Sequence, residues 1–279
     1  MKKAWIFLIA VLLGFSASKA QVLDGVYMKE HTLGRKPVAY QHLREADVMW
    51  SRTIWRKVIL TEKMNHSLYY PTVKMPDRKS LIDLFLYAID EEGLTAYSTN
   101  DPYNEFSVPM TREQINIAFG AEDKIISIPG DDGNPIDVLV RGSIKSEEVR
   151  ELMIKEVWFF DKQRSVLDVR IVGICPIRIY EKEKGNPDTR TPVATFWIYF
   201  PEVRRILANH EVFNPYNDAE RRTYDDFFHK RMFSSYIIRE SNTYNDRNVA
   251  EYSIGLESLL EAERIKEKIF NFQHDLWEF

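Results

Sequence analysis

The sequence predicts an α+β protein, in which an antiparallel β-meander packs with amphipathic helices behind an extended N-terminal arm. Three observations lead there. Between Met153 and Phe200 lie three runs rich in β-branched and aromatic residues, separated by a charged turn at Asp161 to Arg164 and a Gly-Asn-Pro-Asp turn at Gly185 to Asp188. On both sides of that block apolar residues recur at helical spacing behind capping residues. Cys175 is the one cysteine in 279 residues, so no internal disulfide replaces a core, and the length suffices for one.

In chain order, residues 1–20 have the three parts of a secretory signal peptide: Lys2 and Lys3, an apolar run from Ala4 to Phe15, and Ser18-Lys19-Ala20. Cleavage is expected between Ala20 and Gln21. The apolar run falls short of the ~20 residues a membrane helix needs. With no cysteine near the cut, no lipid attachment is expected. Losing Lys2, Lys3 and Lys19 takes the formal charge from −4 to −7. That balance argues against nucleic acid as a ligand.

Residues 21–41 read as an extended arm with Gly25, Gly34 and Pro37 and no sustained period. Such a terminus is either mobile or laid across a neighbouring subunit, and Val22, Leu23, Val26, Tyr27 and Leu33 would be its apolar anchors. The main domain is expected over residues 42–270. From Leu43 to Thr61 the four-residue spacing of Trp50, Ile54 and Val58 predicts an amphipathic helix with Arg52, Arg56 and Lys57 on a solvated side. Ser80, with Asp83 three residues on, starts a helix that stops at Glu92 and Gly93, its inner face made by Leu81, Leu84, Phe85 and Ala88. A short strand follows at Leu94 to Ser98. The loop Asn100 to Glu105 is rich in oxygen ligands but lacks the alternation of a calcium loop.

Thr111 with Gln114 is a capping-box signal for a helix closing at Gly120. Ile125 to Ile128 and Ile136 to Val140 read as two strands around a turn containing Asp131 and Asp132. Ser146 is expected to cap a short acidic turn. Within the meander, Leu167, Val169, Ile171 and Cys175 are assigned to one buried face at period two, which makes Cys175 a buried small hydrophobe. In the third run Phe196, Ile198 and Phe200 share one face, and Thr195, Trp197 and Tyr199 the other.

Pro201 opens a helix with Val203, Ile206 and Leu207 inward. Asp218 is expected to cap a helix that aligns Tyr224, Phe228 and Met232, and Ser241 to Asp246 reads as a polar loop. A last helix from about Val249 to Phe270 carries Tyr252, Leu256, Leu259 and Leu260 on one stripe. The tail, residues 271–279, ends on Phe272, Trp277 and Phe279, which either fold back on the core or dock on a partner.

Catalytic motifs are missing from the sequence. His31, His42, His66, His210, His229 and His274 never fall at the spacing of a helical zinc pair, and no second cysteine exists. There is no nucleophile elbow and no phosphate-binding glycine loop. No cofactor or metal is therefore predicted. His229 with Asp225 or Asp226 is the arrangement a hydrolase would use. A monomeric ligand-binding module would instead need a pocket lined by residues such as Trp158, Trp197 and Tyr199.

Two stretches, WFFDKQRSVLDVRIVGICPI at Trp158 to Ile177 and FFHKRMFSSYIIRESN at Phe227 to Asn242, resemble the GldN (PorN) family of gliding-motility and type IX secretion proteins of Bacteroidetes. The resemblance runs from about Val22 to about Leu260. It implies a non-enzymatic periplasmic subunit of a homo-oligomeric ring. The implied partners are an outer-membrane lipoprotein of the GldK (PorK) type and the periplasmic part of an inner-membrane motor protein of the GldM (PorM) type. Membrane association would come only through such partners. The expected contact residues are Val22, Leu23, Val26, Tyr27, Leu33, Trp277 and Phe279.

Overall fold

The computed structural model of the chain describes residues 34–75, 78–121, 124–129, 135–140, 142–181, 189–217 and 219–276. In chain order, strand β1 (Val48–Ile59) is followed by α1 (His66–Tyr69), α2 (Leu81–Glu91), β2 (Ala96–Tyr97) and α3 (Arg112–Ala118). A hairpin of β3 (Lys124–Pro129) and β4 (Pro135–Val140) precedes the long strands β5 (Val149–Asp161) and β6 (Val166–Glu181). Then come β7 (Arg190–Ala194), β8 (Trp197–Tyr199), α4 (Phe200–Leu207), β9 (Glu211–Val212), β10 (Arg222–Thr223) and α5 (Tyr224–His229). The chain closes with β11 (Tyr236–Glu240), α6 (Val249–Tyr252) and α7 (Leu256–Asp275). The class is α+β, built on a seven-stranded antiparallel sheet in the order β11-β1-β5-β6-β8-β2, with β7 also paired to β6.

The meander forms as its residues dictate. Asp161 closes the β5–β6 turn by accepting from the backbone N–H of Gln163 and from Arg164 Nε. Helix capping also follows the sequence: Ser80 accepts from the N–H of Asp83, and Thr111 with Gln114 forms a reciprocal capping box. In the third run Phe196, Ile198 and Phe200 enter the main core, whereas Trp197 packs on the opposite face with Cys175 and Trp55.

One sheet face carries the helices. Val58, Leu152, Ile154, Ile171 and Ile174 meet Leu84 and Phe85 of α2, Val203 and Leu207 of α4, and Phe227 and Phe228 of α5. Further along the same face, Ile54, Leu167 and Ile237 pack with Ala262, Ile265 and Ile269 of α7. The other face is covered by the loop after β2, which lays Phe106 against Trp197 and Tyr199.

Five expectations need correction. Residues 48–59, expected as part of a helix, are strand β1, bonded to β11 on one side and β5 on the other. A four-residue apolar spacing fits period two as well as period 3.6. The β-branched Thr53, Ile54, Val58 and Ile59 and the two flanking strands decide the matter. Second, Cys175 does not share a face with Leu167, Val169 and Ile171. The pairings Lys155 with Gly173 and Glu156 with Ile171 leave Val172 as the extra residue of a β-bulge, which reverses the alternation beyond it.

Third, α5 starts at Tyr224 under a capping box of Thr223 and Asp226, while Asp218 lies outside the described residues. Fourth, Ser146 is the first residue of a 3-10 turn and makes no side-chain cap bond. Fifth, the last helix is two helices, broken at Gly255 where φ is 62°. Its buried stripe is Ala262, Ile265 and Ile269, while Leu256, Leu259 and Leu260 are exposed.

Candidate interaction surface

Two buried carboxylates, one on each face of the sheet, each gather several charged or N–H donor side chains. On the helix-covered face Glu156 accepts from Arg56 Nε at 3.1 Å, Trp158 Nε1 at 3.1 Å and Arg231 at 2.7 Å. Arg231 reaches it from the end of α5. There the N–H of Arg231 bonds Phe228 O and that of Met232 bonds Phe227 O, a Schellman closure that places Arg231 at φ 53°. A glycine would occupy that position at lower conformational cost. Arginine stands there because its guanidinium is spent on Glu156.

On the opposite face Glu105 accepts from Trp55 Nε1 at 3.0 Å, Lys155 Nζ at 2.6 Å and Arg239 at 3.2 Å. The Arg239 guanidinium also lies 3.6 Å from the centre of the Trp55 ring. Burial lowers the pKa of Arg239, and Glu105 opposes that shift. Glu105 thus anchors the loop after β2 to three strands. From the sequence this loop stands out only as an incomplete calcium loop, and Glu156 does not stand out at all. The available signal was the Lys155-Glu156 pair inside the apolar run of β5.

A third ion pair fixes the end of the N-terminal arm. Arg204 of α4 bonds both oxygens of Asp225, at 2.7 and 3.1 Å, and donates to the carbonyl of Val38 at 2.7 Å. The Tyr40 ring lies 4.1 Å from the Arg204 guanidinium and 5.0 Å from that of Arg170, which donates to Gln41 O. These bonds hold residues 38–41 against α4 and β6. The proposed anchors Val22, Leu23, Val26, Tyr27 and Leu33, the cleavage pair Ala20 and Gln21, and Trp277 and Phe279 lie outside the described residues.

The groups weighed for chemistry are not brought together. Asp225 is committed to Arg204, Asp226 caps the amino end of α5, and His229 is exposed at the far end of that helix. Trp158 lies on one face of the sheet and Trp197 on the other, so they cannot line one pocket. A cleft between α7 and the sheet, lined by Trp50, Arg52, Glu240, Ile265, Lys268 and Ile269, encloses about 100 Å³. Ligand pockets start at roughly 300 Å³. Among the described residues no group of three or more His, Cys, Asp or Glu could hold a metal ion.

What the described residues do present is apolar surface at the C-terminal end. Ile254 is 86% exposed, Leu256 71%, Leu259 53%, Leu260 51% and Phe270 64%. On α7 these side chains project away from Ala262, Ile265 and Ile269, so the helix is apolar on two sides and buries one. Beside them Arg247 is stacked between the rings of Tyr244 and Tyr252, at 4.6 and 4.5 Å. Exposed Tyr, Arg and large aliphatic side chains grouped in this way mark an interaction surface more often than a plain solvent face.

A family model described as gliding motility associated protein GldN matches residues 43–278. The chain belongs to the GldN family. Comparison with curated proteins gives no match. Membership associates this GldN protein with gliding motility and type IX secretion, as a structural component and not as part of a known enzyme family. The GldN match covers the whole main sheet, both buried carboxylates and α7. No described helix of this GldN chain is long and apolar enough to cross a membrane.

Proposed function

We propose that this GldN protein is a non-enzymatic structural subunit of a periplasmic ring complex in the type IX secretion and gliding machinery. It is exported under a signal peptide, residues 1–20, that is cleaved between Ala20 and Gln21. It binds an outer-membrane lipoprotein of the GldK (PorK) type and the periplasmic part of a motor protein of the GldM (PorM) type, supporting protein export across the outer membrane. Val22, Leu23, Val26, Tyr27, Leu33, Trp277 and Phe279 are the proposed partner contacts. The observation that carries the reading is the family match over residues 43–278. The engagement of Asp225 by Arg204 and the exposed apolar side chains of α7 agree with a protein that works by contact.

The test is complementation of a deletion strain, with secreted cargo in the medium and colony spreading as readouts. Wild type and His229→Ala are expected to restore both equally. Export that survives deletion, or a His229→Ala chain that is stable but inactive, would contradict the proposal.

A further inference from the structure

The outer face of α7 has a feature that exposure alone does not describe. Leu256, Leu259, Glu263, Lys266, Phe270 and Gln273 follow one another at steps of three and four, the spacing of a coiled-coil seam. All six are exposed, and the seam runs along a flank of α7, roughly 100° around the helix from the stripe that holds it to the sheet. The helix spans 20 residues, about 30 Å, and the seam runs for somewhat more than two turns on each side of its midpoint.

We propose that this seam binds the same seam of a second copy of the chain, with the two α7 helices antiparallel about a two-fold axis near Arg264 and Ile265. In that alignment Leu259 faces Phe270 of the partner subunit, and Glu263 faces Lys266 of the partner subunit. Each contact is made twice by symmetry. Leu256 then lies over Gln273 of the partner subunit, and Ile254 extends the apolar contact beyond the helix end. The seam is self-complementary in both charge and bulk.

A parallel pairing would set Glu263 against Glu263 and Lys266 against Lys266, and the two helix dipoles would add unfavourably. Antiparallel pairing removes both penalties. Within one chain Glu263 and Lys266 already pair at 2.8 Å, each more than half exposed. The same two charges are therefore available to be shared across the axis without burying a lone ion. The contact area is smaller than the roughly 800 Å² per partner of a standard stable interface, so affinity in the micromolar range is expected. This contact does not depend on the secretion reading, since it is a property of the isolated chain.

The test is sedimentation equilibrium of the full mature chain over a concentration series reaching about 100 μM. Wild type is expected to show a monomer–dimer equilibrium. Glu263→Lys alone and Lys266→Glu alone each place like charges across the axis and should weaken it by roughly tenfold or more. The double reversal restores opposite charges and should restore the dimer, with unchanged circular dichroism throughout. Leu259→Cys with Phe270→Cys should give a covalent dimer on mild oxidation. A wild-type chain that stays monomeric, single reversals without effect, or a double reversal as weak as the singles would overturn the proposal.

Discussion

Replacing Glu156 by Gln tests how the sheet is held to α5. The side chain is fully buried and accepts three hydrogen bonds, from Arg56, Trp158 and Arg231. Glutamine has nearly the same shape, but it removes the only charge in this cluster that balances two guanidiniums and turns an N–H₂ toward donors. Arg231 is 29% exposed and can swing into water, whereas Arg56 is only 9% exposed and cannot. Removing one partner of a buried pair costs about 3–5 kcal/mol. For a domain this size that corresponds to a fall in Tm of roughly 6–20 °C. Thermal and urea unfolding followed by circular dichroism give both numbers. A loss below about 1 kcal/mol would refute the assignment of Glu156 as the centre of the cluster. As an internal comparison, Arg231→Gly should cost less than Arg231→Ala, because only glycine relieves the φ of 53°.

Glu105→Gln should act locally, since it frees the loop after β2 but leaves the helix-covered core intact. Faster hydrogen exchange over residues 99–108 with a smaller Tm change is the expected pattern, and uniform destabilisation would contradict it. Gly173→Ala places a methyl against Phe106 and 3.1 Å from Ile198 O, so it should cost about 1–3 kcal/mol and expose the same loop. Cys175 is fully buried and its thiol pKa is pushed far up by that burial. It should resist alkylation in the native protein and react only in denaturant; rapid native labelling would show the site to be open.

Acid stability has a definite sign. Hydrogen bonds from Arg44 to Asp47, from Arg164 to Asp161 and from Arg222 to Glu220 hold these carboxyls below their ordinary values. Their stabilisation is complete above the unfolded-state pKa of about 4 and is lost as pH falls through the lower folded values. Tm should therefore be level through neutral pH and drop below about pH 4, less steeply in Asp161→Asn. A Tm that rises on acidification would contradict this.

Local signals carried far in the sequence where a short-range rule applies. Ser80, Thr111 with Gln114, and the Asp161 turn work through bonds spanning at most three residues, and each was readable. β1 was not, because Trp50, Ile54 and Val58 satisfy two periods at once and only β5 and β11, about 100 and 185 residues away, choose between them. The bulge at Val172 was equally hidden, and it moves Cys175 to the other face. Glu105 gathers donors from three distant strands, and Glu156 from two distant segments besides Trp158 on its own strand, so no local spacing reveals either cluster. For α7, a helix with leucines on two sides gives no sequence clue to which stripe the sheet takes.

The most direct test of the structural-subunit account is the mass and composition of the complex recovered with a tagged chain from its own gently solubilised cell envelope. The account predicts a large assembly that contains an outer-membrane lipoprotein in fixed ratio to this chain, together with further copies of the chain itself. Recovery of the chain alone, as a monomer or a simple dimer under conditions that preserve other envelope complexes, would contradict it.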